Sequence, residues 1–256
     1  MRWLSFVSPP ADAAWNMALD EALMRRAARS GQAVLRVYGW TQPTLSLGRN
    51  QRARDCYDLE AARVAGVGFV RRPTGGRALL HDREITYSVT LPADSAHAAR
   101  EAYHFINTVL VDGLRSLGVP AQLSTGSTAL LPGVRPCFDV PAEREIAVGA
   151  RKLVGSAQWR HAGALLQHGS ILIHDDQRIA NELLRVPGAA NPPAAATLAE
   201  ALGREPTLAE VADALVTALR SRVNADVAPF VMEAQVECDA VAGRALYHDD
   251  AWTWRR

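Results

Sequence analysis

The chain has 256 residues, room for one large domain or two small ones with a substantial core. Its composition, 48% hydrophobic and 21% charged, is that of an ordinary globular protein, and a formal net charge of +1 without a basic block points away from nucleic acid. The first residues lack a signal-peptide pattern, and the longest apolar stretch, Ala164 to Ile173, is interrupted by Gln167, His168 and Ser170, so no membrane association is expected.

Ala13 to Arg29 predicts an amphipathic helix, with Met17, Leu19, Ala22, Leu23 and Met24 set among Asn16, Asp20, Glu21 and Arg25. Val34 to Tyr38 and Thr44 to Leu47 read as strands around a Gly39–Pro43 turn, and Leu59 to Ala65 as a short helix. Next comes Arg71-Arg72-Pro73-Thr74-Gly75-Gly76-Arg77-Ala78-Leu79-Leu80-His81-Asp82, the most informative run of the chain. Its paired glycines let a ligand approach the backbone, and its arginines offer cationic forks suited to phosphate or carboxylate. Ile85, Tyr87, Val89 and Leu91 then alternate with Thr86, Ser88 and Thr90, which predicts a strand. The glycine turn is therefore expected at a sheet edge, its N–H groups open to a ligand; a purely structural turn is the alternative.

Ala96 to Leu117 predicts a helix stopped by Gly118 and Pro120. Glu145 to Val148, Arg151 to Gln158 and Ala164 to Ile173 form a predicted β-meander. Pro187 to Pro193 is too rich in proline, glycine and alanine to hold an element. Thr207-Leu208-Ala209-Glu210 is a capping-box signature, and the helix behind it sets Leu208, Val211, Leu215, Val216 and Leu219 on one face. Helices and antiparallel strands without a regular β-α-β rhythm predict an α+β fold. No linker divides the chain, so residues 1–256 read as one domain, helical from about residue 196.

Three widely spaced cysteines (Cys56, Cys137 and Cys238) make neither a disulfide framework nor a metal-ligand spacing, which suits the cytoplasm, where thiols stay reduced. Cys137 follows Pro132-Gly133-Val134-Arg135-Pro136, a turn-rich approach that sets it outside regular structure, where working residues concentrate. A buried, inert thiol is the competing reading. Lys152 lies beside Gly155-Ser156-Ala157, three small residues that leave open space next to it. It is either a solvated charge or a cation that favours a nearby thiolate and holds an acyl oxygen as negative charge develops. His81 and His168 flank strands, as structural or working histidines, and with His174 they make no zinc spacing. The nucleophile-elbow, Walker and dinucleotide-binding fingerprints do not occur.

The run Arg71-Arg72-x-Thr74-Gly75-Gly76-Arg77-Ala78-x-x-His81-Asp82, followed by Thr86-Tyr87-Ser88, resembles the signature of the lipoate and octanoate attachment superfamily. That superfamily includes lipoate–protein ligases, octanoyltransferases and, more distantly, biotin–protein ligases. Asn16 to Leu23 resembles its N-terminal helix, and Leu35–Trp40 with Pro43–Gly48 its next hairpin. Arg151-Lys152-x-x-Gly155-Ser156-Ala157-Gln158 resembles its lysine strand, and Leu166 to Ile171 the strand beyond. The resemblance implies a mixed, largely antiparallel central sheet flanked by helices.

Three details are similar to the cysteine-dependent octanoyltransferases of Gram-positive type. Arg77 stands where ATP-using ligases carry a third glycine, Cys137-Phe138-x-x-Pro141 resembles the octanoyltransferase loop, and the extra C-terminal domain of many bacterial ligases is not apparent. The resemblance implies transfer of octanoyl from octanoyl-acyl carrier protein to Cys137, then to a lysine of a lipoyl-carrier domain or glycine-cleavage H protein. It assigns Lys152 to the thiol and acyl carbonyl, and the acyl pocket to Gly75, Gly76, Arg77 and His81, with Gly155, Ser156 and Ala157 alongside. Arg71 and Arg72 orient the loop or meet the acidic carrier. Neither ATP nor a metal is implied, and a monomer is the default for this branch. An ATP-dependent lipoate ligase and an amidotransferase acting between carrier proteins are the neighbouring readings.

Overall fold

The computed structural model describes residues 1–124, 145–186 and 194–256. β1 (Trp3–Val7) leads into α1 (Ala13–Ser30), whose first turn is capped by the Asp12 carboxylate accepting from Trp15 N. β2 (Ala33–Tyr38), β3 (Thr44–Leu47), α2 (Leu59–Val64), β4 (Gly68–Arg71), β5 (Leu79–His81) and β6 (Glu84–Pro92) follow, then the long α3 (Ala96–Ser116). β7 (Ala121–Leu123) precedes the antiparallel meander of β8 (Ile146–Val148), β9 (Arg151–His161) and β10 (Ala164–Leu172). The chain continues through α4 (Arg178–Glu182), α5 (Leu198–Leu202), α6 (Leu208–Val223), β11 (Ala228–Pro229), α7 (Ala234–His248) and α8 (Asp250–Thr253). The capping box at the start of α6 forms in full: Thr207 Oγ1 accepts from Glu210 N while the Glu210 carboxylate accepts from Thr207 N.

Most strands join one mixed, largely antiparallel sheet in the order β11-β1-β2-β6-β10-β9-β8-β7, and β4-β3-β5 form a second, smaller one. Helices cover both faces of the large sheet. On one face Leu35, Val37, Tyr87, Val89 and Leu91 pack with Ile106 and Leu110 of α3 and with Val211 and Leu215 of α6. On the other, Leu4 and Val34 pack with Leu19 and Leu23 of α1 and with Val236 and Ala240 of α7. Burying a side chain of this size stabilises by about 1.5–3 kcal/mol, so the layers hold largely through apolar burial. The small sheet has its own core, in which Leu45, Leu47 and Leu80 meet Tyr57, Ala62 and Leu183.

One expectation changes here. β2 and β3 do not form a hairpin, because β2 is already flanked by β1 and β6, and the chain crosses at 39–43 into the small sheet. β1, α1 and β2 form a parallel crossover, which the sequence did not reveal. Along β6, Thr86, Ser88 and Thr90 are as buried as their apolar neighbours, since α1 covers them. The Pro187–Pro193 loop lies outside the described residues.

Candidate active site

Helix α1 turns two polar side chains, Asn16 and Asp20, toward the sheet, where both are fully buried. Their partner is Arg36 of β2, also fully buried, which donates to Asp20 Oδ1 and to Asn16 Oδ1 at 2.7 Å each. Asp20 accepts further bonds from Tyr38 Oη (2.9 Å) and Ser88 Oγ (2.7 Å), and lies 3.1 Å from His168 Nδ1. Burial alone raises the Asp20 pKa, but Arg36, then His168 and Ser88, overturn this and hold the carboxyl below its usual value. The ionised Asp20 accepts from the His168 Nδ1–H, and His168 Nε2 lies 2.6 Å from Thr74 Oγ1. The buried carboxylate thus tethers the glycine turn to the large sheet.

The turn is also held from within. Arg72 donates to Ser46 O (2.7 Å), Gly75 O (2.8 Å) and Arg77 O (2.7 Å), so one guanidinium spans the whole bend. Gly76 has φ +92°, in the left-handed region, and a Cβ there would meet Arg72 Nη2 at 2.7 Å. Gly48 packs so closely beneath that any Cβ on it would fall into the Gly76 carbonyl. His81, at the end of β5, stacks on Trp40 with ring centroids 4.0 Å apart and lies 2.9 Å from Ser46 Oγ and 3.4 Å from Glu84 Oε1. Burial pulls His81 below its ordinary pKa against the opposing effect of Glu84, which favours the neutral ring.

The opposite wall comes from β9 and β10. Tyr87, Gly169 and Ser156 lie side by side across β6, β10 and β9, and Tyr87 Oη meets Ser156 Oγ at 2.7 Å over the glycine. A Cβ at Gly169 would lie 2.8 Å from the Tyr87 ring and 3.0 Å from Ser156 Oγ. Between this wall and the glycine turn lies a narrow cleft. Met17, Tyr38, Leu79 and Ala157 give it an apolar lining, while Arg72, His81, Thr86 and His168 bring polar groups to it. Gly76 faces Ala157 across the opening.

Lys152, also on β9, is buried, and its Nζ lies 2.8 Å from Glu145 Oε1. At about 3.3 Å per strand residue it sits roughly 10 Å along the strand from Gly155. Residues 12–220 match the family model described as the lipoyl protein ligase A/B catalytic domain. The protein belongs to that family.

The relatives agree with this membership along the whole chain. The octanoyltransferase LipM of Kyrpidia tusciae is 38% identical, the match covering 99% of each protein. The octanoyltransferase LipM of Bacillus subtilis is 34% identical, covering 99% of this chain and 98% of that one. Among solved structures, the bi-partite lipoate protein ligase of Thermoplasma acidophilum superposes with a TM-score of 0.81 at 22% identity, covering 99% of this chain and 96% of that one. A lipoate-protein ligase A bound with ATP gives a TM-score of 0.83 at 23% identity, covering 99% of both chains. At that identity the two structures establish a shared fold.

Within this lipoyl ligase A/B family member, the structure gathers Arg72, Gly76, His81, Gly155, Ser156 and Ala157 around one cleft. Gly75 and Arg77 flank the turn without lining the cleft. Arg71 points away from it, donating to Thr253 O (2.8 Å), Gly48 O (2.6 Å) and Gln51 O (2.8 Å), so it ties the C-terminal segment to the turn. Cys137 lies outside the described residues. Asp20, Tyr38 and Gly169 escaped the sequence reading. A signal for Asp20 exists: it follows Asn16 by four residues, on one side of a helix, and a buried strand arginine demands a partner.

Proposed function

We infer that the protein is an octanoyltransferase of lipoate biosynthesis, passing octanoyl from octanoyl-acyl carrier protein through Cys137 to a lysine of a lipoyl-carrier domain. The observation that carries this reading is the 38% identity to an octanoyltransferase over 99% of both chains. Octanoyl enters the cleft with its carbonyl toward the mouth. The Cys137 thiolate attacks that carbonyl, a C–S bond forms, and the carrier's thiol leaves. The acceptor's neutral lysine amine then attacks the new thioester, an amide forms as the amine's surplus proton passes to water, the C–S bond breaks, and the Cys137 thiolate departs. Exchange of one thioester for another of similar energy needs no ATP.

Support for Cys137 comes from its Cys-Phe-x-x-Pro context and its position fifteen residues before Lys152. Support for Lys152 is its cationic side chain on the strand that lines the cleft; a cation beside the thiol favours the thiolate. The test is intact-protein mass after mixing with octanoyl-acyl carrier protein, without ATP or acceptor. The expected result is a hydroxylamine-labile octanoyl gain that Cys137→Ser abolishes. Modification of acceptor only when ATP and free acid are present would instead establish a ligase. An acyl gain from an octanoylated H protein but not from acyl carrier protein would establish an amidotransferase.

A further inference from the structure

The turn at 48–51 collects guanidinium groups and supplies no carboxylate. Arg49 lies over Trp159 at 5.0 Å and over Trp252 at 5.6 Å, and Arg255 lies 3.9 Å from the Trp252 ring centroid. Arg71 Nη1 and Arg255 Nη2 both reach the carbonyl of Arg49, at 3.5 and 2.5 Å. Among the described residues, Arg49, Arg71, Arg255 and Arg256 make no ion pair. Two N–H groups in the same place are buried without a hydrogen-bond partner among the described residues: Arg71 Nη2 and Arg255 Nε. Arg71 and Gln51 are themselves almost wholly buried. Burial, then the like charges of Arg255, Arg256 and Arg72, pull Arg71 down to about 10.

Clustered like charges repel one another in the free protein, and an anion held at the rim relieves that repulsion. Guanidinium forks match phosphate and carboxylate oxygens. The location ties the cluster to the cleft. Arg49 follows Gly48, which packs under the cleft residue Gly76, and Arg49 N donates to Thr74 O at 2.7 Å. Trp159 lies two residues beyond the cleft residue Ala157 on β9. Arg49 therefore bridges the two sides of the cleft at its rim.

We propose that Arg49 and Arg255, set on Trp159 and Trp252, form the docking site for the acyl donor's carrier, holding the phosphodiester through which the acyl-bearing arm joins the carrier. The proposal rests on the transfer reading above. Of the two protein substrates in that reading, only the donor brings a phosphate to the cleft; the acceptor lysine carries none. Arg71, behind the rim, adds positive potential without touching the ligand.

The experiment compares wild type with Arg49→Gln and Arg255→Gln in two measurements. Direct titration with holo-acyl carrier protein reads affinity without turnover. Single-turnover acyl gain is followed from octanoyl-acyl carrier protein, octanoyl-phosphopantetheine and octanoyl-pantetheine. We expect each variant to bind the carrier at least tenfold more weakly, to acylate correspondingly slower from both phosphate-bearing donors, and to be unchanged with octanoyl-pantetheine. Equal losses with all three donors overturn the proposal, because the residues then shape the cleft itself. A loss with the carrier protein but not with octanoyl-phosphopantetheine overturns the phosphate contact in favour of acidic carrier side chains. Should Arg255→Gln unfold, Arg49→Gln decides alone, since the Arg49 guanidinium rests on rings rather than in a hydrogen-bonded lattice. Wild type that binds the carrier through these residues yet never gains octanoyl would refute the transfer reading while leaving the docking site standing.

Discussion

Asp20 and His168 lie 148 positions apart in the chain, yet their side chains meet at 3.1 Å beneath the cleft. The contact passes from helix α1 through β10 to Thr74, so the geometry of the glycine turn depends on a fully buried carboxylate behind the cleft. Asp20→Asn keeps the shape but leaves Arg36 charged and unpaired in the interior. The expected cost is about 3–5 kcal/mol, read as a lower midpoint in denaturant unfolding. A change within about 0.5 kcal/mol would mean that Asn16 and the hydroxyls satisfy Arg36 without Asp20.

Gly169 and Gly75 make opposite predictions. Gly169→Ala drives a methyl group into the Gly155 carbonyl and the Tyr87 ring, and overpacking of this kind costs about 1–3 kcal/mol. Gly75→Ala meets nothing within 4 Å, so its stability should stay within about 0.5 kcal/mol of wild type. Thermal unfolding of the two variants side by side checks the contrast.

Acid sensitivity should fall into two windows. His81 is held below its ordinary value of 6.5, so the unfolded chain takes up that proton first and stability drops as pH falls through the unfolded histidine range. Asp20 is held below its ordinary 3.8, so its stabilising effect is complete above that value and lost as pH falls through the lower folded value. His81→Gln should flatten the upper window and leave the lower one. Unfolding free energies measured across pH would reject this if the variant kept the wild-type slope near 6.5.

Lys152→Ala should slow octanoyl transfer onto the enzyme by on the order of 10²-fold, the usual loss for one cation or donor aimed at developing charge. Rapid-quench mass spectrometry reads the rate. Normal acylation in that variant would remove Lys152 from the chemistry and leave it as the partner of Glu145.

Much of the local structure was legible in the chain because it rests on short-range rules. The amphipathic α1, the β8–β10 meander and the Thr207–Glu210 capping box all appear where periodicity and capping chemistry predict them. The glycine motif was legible for the same reason, since close backbone approach demands glycine wherever it occurs. Partner choice was not. The Gly39–Pro43 segment has the composition of a hairpin turn, but β2 had both edges occupied, and only the assembled sheet decides that.

By itself, then, the sequence determined α1, α3, α6 and the β8–β10 meander, the family, and Gly76, Gly155, Ser156 and Ala157 of the cleft. Tertiary structure decided that Asn16 and Asp20, polar on paper, face inward; that Arg71 and Arg72, adjacent in sequence, point to different tasks; and that Arg49, Trp159 and Trp252 share a rim. The physical reason is range. Helix and turn propensities act over three or four residues, whereas the burial of a charge is settled by whichever distant strand supplies its counter-charge.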